Sequence, residues 1–61
     1  MANLTQKELM ALEEQLGYEQ VLVHKFNTMA GACTDAALKG RLQTIAGQHQ
    51  QHYNRLITHL K

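Results

Sequence analysis

Apolar residues recur along this chain at intervals of three and four. One series runs Leu9, Leu12, Leu16, Glu19, Val23, Phe26, Ala30, and a second runs Leu38, Leu42, Ile45, His49, His52, Leu56, His59. Steps of three and four put each series on one face of an α-helix. Both stripes are interrupted by ionisable residues: Glu19 in the first, His49 and His52 in the second.

The ends of the elements are marked as well. Thr5-Gln6-Lys7-Glu8 fits a capping box, with Leu4 and Leu9 placed to staple the entry. This predicts a first helix over about 5–31, roughly 38 Å long at 1.5 Å per residue. Gly31 is expected to close it through a left-handed residue, and Thr34 or Asp35 to cap a second helix over about 35–60. There is no proline to break either helix. Gly17 interrupts the first helix. Gly40 and Gly47 share a face of the second, where they either let another helix come close or merely weaken the element.

A connection this short predicts an antiparallel hairpin. Centred near Thr34, it pairs positions whose numbers sum to about 68. Glu19 then faces His49, Leu16 faces His52, Leu12 faces Leu56 and Leu9 faces His59. Toward the turn, Phe26 faces Leu42 and Ala30 faces Leu38. Tyr18, Leu22 and Met29 on one helix, and Ala46, Tyr53, Ile57 and Leu60 on the other, flank the stripes. One hairpin cannot cover all of them. The expectation is an all-α fold in which a single 1–61 hairpin dimerises, with two-fold symmetry, into a four-helix bundle.

Length supports the need for a partner. Sixty-one residues make one small domain, and chains of this size bury only about 60% of their unfolded surface. A single cysteine, Cys33, excludes an intrachain disulfide, leaving oligomerisation, with or without metal, as the source of stability. Cys33 itself reads as a small hydrophobe near the turn in a reducing interior.

Charge narrows the function. The net charge is +1 with no basic run and few aromatic residues, which argues against nucleic-acid binding. No apolar run reaches membrane-spanning length, and no signal-peptide pattern is seen, so synthesis inside the cell without a leader is expected. No Ser-His-Asp order, glycine-rich phosphate loop or cysteine pair occurs, so no enzymatic role is expected.

Glu19, His49 and His52 are the candidate chemical residues. His49-Gln50-Gln51-His52 sets two imidazoles three apart on one helical face. With a carboxylate opposite, they suit zinc, iron, manganese or nickel. The competing reading is a buried polar layer that fixes register without any ion. His24 is expected on the solvated side, His59 near the C-terminal end, and Glu13 and Glu14 on outer faces. A buried neutral imidazole pair predicts loss of stability as acid charges the rings; imidazoles buried charged beside Glu19 would reverse that sign.

The segments Leu4-Thr5-Gln6-Lys7-Glu8-Leu9 and Ile45-Ala46-Gly47-Gln48-His49-Gln50-Gln51-His52-Tyr53-Asn54-Arg55-Leu56 resemble the coat F family of small bacterial spore coat proteins, which is related to the ferritin-like superfamily. The resemblance spans nearly the whole chain. It implies a ferritin-like bundle and a structural spore-coat role, through association with itself and with other coat components. Ferritin-like helices supply a Glu from one helix and a Glu-x-x-His from the next. Glu19 and His52 match that pattern, and His49 stands where the second Glu belongs. That departure argues against a di-iron oxidase. The alternative function is a metal-binding bundle using Glu19, His49 and His52, with zinc or iron as the ion. A third is an adaptor whose apolar flank takes a different protein.

Overall fold

The computed structural model describes residues 4–60. They form two α-helices, α1 (Gln6–Ala32) and α2 (Ala36–Ile57), and a final 3-10 turn over Thr58–Leu60. Every regular element among the described residues is helical.

Helix α1 begins as its capping box dictates. The Glu8 amide donates to Thr5 Oγ1 at 3.1 Å, and the Thr5 amide donates back to Glu8 Oε1 at 3.0 Å. Its other end differs from expectation. Gly31 stays inside the helix, and no glycine among the described residues has positive φ. The helix stops instead at an extended Cys33, whose amide donates to the Ala30 carbonyl at 3.2 Å. A left-handed residue is not needed, because three residues suffice to reverse the chain when the second cap sits at once at Asp35. The Asp35 carboxylate accepts from the Leu38 amide at 2.9 Å and starts α2. The regular part of α2 ends at Ile57 rather than Leu60; there Thr58 Oγ1 donates to the Arg55 carbonyl as the last turn tightens.

The two helices pack antiparallel against each other. The Cα positions span 46 × 14 × 10 Å, a single layer of helices. Its interior is small: Leu16, Ala30, Leu42 and Ala46 are buried, together with Glu19. Leu9, Leu12, Val23, Phe26, Ile45 and Leu56 are half-buried.

Two placements correct the stripe reading. Leu38 is 50% exposed, because α1 stops at Ala32 and leaves little to cover it. Ala46, assigned above to an outer flank, is buried in the hairpin itself; a seam between close helices draws in a wider arc of small side chains than a strict heptad line. None of the four glycines marks a close approach within the hairpin. A methyl group added at Gly17, Gly31, Gly40 or Gly47 meets nothing within 4 Å.

Candidate metal centre

Glu19 lies near the midpoint of α1 and is 5% exposed. A carboxylate in such a position must be satisfied, and its partners come from both helices. One helical turn back, Gln15 Nε2 donates to Glu19 Oε1 at 3.2 Å. Across the seam, His49 Nδ1 donates to Oε2 at 2.9 Å. His52 Nδ1 lies 3.5 Å from the same oxygen. The His49 hydrogen bond holds the Glu19 carboxyl below the usual carboxylate range. Burial opposes this, and the charge of His49, the Gln15 amide and the charge of His52 assist it. The ionised form of Glu19 requires His49 to be the donor.

The His49 ring is fixed on a second side. It stacks on Phe26, with centroids 5.9 Å apart and planes 11° from parallel, and meets His52 edge-on at 5.8 Å. Register pairing placed Phe26 opposite Leu42, yet its ring stacks on His49, about two turns further along α2. Gln15 was absent from the candidate set, although its position four residues before Glu19 on one helix was a visible signal.

The three candidates are therefore brought together, but they are not equally enclosed. The Glu19 side chain is 7% exposed, His49 23% and His52 53%. His52 was expected inside. Three residues turn a helix through about 300°, so it sits about 60° round from His49, at the edge of a seam only one layer thick. There it borders a depression of about 300 Å³, shared with Gln15, Glu19, Arg55, Leu56 and His59. A larger trough of about 650 Å³ lies along α2 between Ala37 and Gln48 and holds no titratable cluster. His24, Glu13 and Glu14 are exposed as expected, and Glu14 accepts from the Tyr18 hydroxyl at 3.0 Å.

Chemically, the cluster offers one carboxylate oxygen and two imidazole nitrogens, all within 4.8 Å of one another. Donors about 2.0–2.2 Å from a tetrahedral zinc stand roughly 3.3 Å apart. The 2.9 and 3.5 Å separations bracket that value, and the exposed edge at His52 leaves a side open for water or a further ligand. The same groups also satisfy each other without an ion: among the described residues no buried side-chain nitrogen or oxygen lacks a partner.

Neither helix is long and apolar enough to cross a membrane among the described residues. No protein-family model matches the chain, and no solved structure does. It is similar to the uncharacterized protein YuzM of Bacillus subtilis (strain 168), at 29% identity over 58 residues, which covers 95% of this chain and 72% of the relative.

Proposed function

We propose that the protein is a non-enzymatic assembly unit of the spore-coat type, which works by pairing into a helical bundle and then joining other coat components. The observation that carries this reading is surplus surface. The chain exposes 4737 Å², whereas a compact monomer of its 6.9 kDa mass exposes about 4,000 Å². Four small or medium buried side chains leave a free-standing hairpin marginal, and Met10, Tyr18, Val21, Met29 and Leu38 lie 44–63% exposed. Pairing of hairpins removes such surface from water, and the coat F resemblance supplies the spore context. Sedimentation at tens of micromolar chain is expected to give a dimer; a monomer there sinks this reading. A tagged copy made in a sporulating bacterium is expected in the coat fraction, and recovery only from the vegetative cell would remove the spore role.

A second reading has its own observation, the convergence of Glu19, His49 and His52. On it the bundle holds a divalent transition metal, zinc or iron, ligated by those three side chains. Protein purified without chelator is then expected to retain metal. A ligand that binds only the native form, at about 100 times its dissociation constant, adds about 2.7 kcal/mol, visible as a raised melting temperature. Absence of both effects eliminates the metal reading and leaves the assembly reading intact. Replacing Glu19 and His49 together by leucine discriminates further. A mere polar layer tolerates the exchange or gains stability, while a metal centre loses its ion.

A further inference from the structure

Of the exposed apolar residues, Tyr18, Met29 and Leu38 lie on the same side of the hairpin as the open edge of the cluster, while Met10 and Val21 lie on the back of α1. On α1, Gln15, Leu22 and Met29 are seven apart, and so form one line along the helix. On α2, Leu38, Ile45, His52 and His59 form another such line. The two lines face the same way, because Gln15 shares one depression with His52 and His59. The opposite side is marked by Gln20, whose amide reaches the Tyr53 hydroxyl at 3.4 Å. That side carries polar residues such as His24, Asn27, Gln43 and Gln50. Along the first side, Met29 is 44% and Leu38 50% exposed, and Tyr18 beside them is 55% exposed.

The geometry points to a second copy of this chain docking on that side, coupled to binding of a divalent transition cation at Glu19, His49 and His52. The inference rests on both readings above and joins them. Two features select a second copy as the occupant. The surplus of about 700 Å² over a compact monomer matches the roughly 800 Å² that each partner contributes to a standard interface. A two-fold axis parallel to the helices sets α1 of one copy over α2 of the other, and keeps both Glu19 layers at the same height.

The sign of the coupling follows from desolvation. Docking covers the half-exposed His52 imidazole, the last solvated side of a cluster whose carboxylate is already buried and only partly neutralised by its neighbours. A divalent cation bound between them compensates that loss, so the loaded cluster favours docking. By linkage, docking strengthens cation binding by the same factor.

Sedimentation equilibrium of the full chain with zinc chloride and with chelator, beside zinc titration against a competing chelator, tests this. Zinc is expected to tighten the dimer about tenfold or more. Ile45→Glu, on the docking side but outside the cluster, is expected to stay helical, to be monomeric, and to bind zinc about tenfold more weakly. The double variant Glu19→Gln/His52→Asn is expected to lose the zinc effect. Zinc binding with an unchanged dimer constant overturns the coupling while leaving the metal reading standing. Failure to bind zinc at all overturns both. A zinc effect that survives in Glu19→Gln/His52→Asn signifies bridging by other surface histidines and also overturns it. So does an unimpaired dimer of Ile45→Glu.

Discussion

At the level of single residues, Glu19 is the most consequential side chain. It is the one buried carboxylate among the described residues, and its ionised form is held by His49, Gln15 and His52. Its folded pKa lies below the unfolded value, as does that of Glu8, where the Thr5 amide and hydroxyl donate to the carboxylate. Groups shifted in this direction contribute stability that is fully present above the unfolded value of about 4.5 and is lost as pH falls through the folded one. Thermal melts between pH 6 and pH 3 are therefore expected to fall most steeply below about pH 4.5. Glu19→Gln is expected to flatten that fall, leaving the part due to Glu8. A melting temperature independent of pH across this window would contradict the hydrogen bonding at both carboxylates. In the core, Leu16→Ala opens a cavity at the seam and is expected to cost about 2–5 kcal/mol, enough to unfold a hairpin this small at room temperature, as read by circular dichroism.

The elements have separable strengths. The capping box orders the start of α1 with two reciprocal bonds, and Thr5→Ala is expected to cost about 1 kcal/mol in denaturant unfolding. Gly47 lies inside α2 on its exposed face, with open space where a methyl group would sit. Gly47→Ala is expected to stabilise the helix by about 1 kcal/mol. Loss of stability would instead mean that another helix rests on that outer face, which would move the docking surface away from the side bearing His52. The helix starts, their caps and the pairing of Glu19 with His49 were legible from periodicity and local chemistry, since each depends on residues a few positions apart or on a short turn. The end of α1 was not. A left-handed glycine and an extended cysteine are both adequate stops, and only the placement of the Asp35 cap selects between them.

On the scale of the whole molecule, the hairpin is a single layer with two open sides, one polar and one part-apolar. On the proposed pairing, the melting midpoint is expected to rise as chain concentration is raised, because a partner that binds only the folded form stabilises it by mass action. A midpoint constant over a hundredfold range would mean that the hairpin stands alone. The spacing of apolar and ionisable residues by itself determined that the chain is helical, where it reverses, and which three side chains share one level, because helical periodicity converts sequence intervals directly into faces. Only the tertiary structure decided how deeply each of those side chains is enclosed. Burial depends on the angular position of a residue relative to the neighbouring helix, on side-chain size across the seam and on where that neighbour ends. For that reason Glu19 is covered, His52 opens to solvent, Leu38 is left bare and Ala46 is drawn inside.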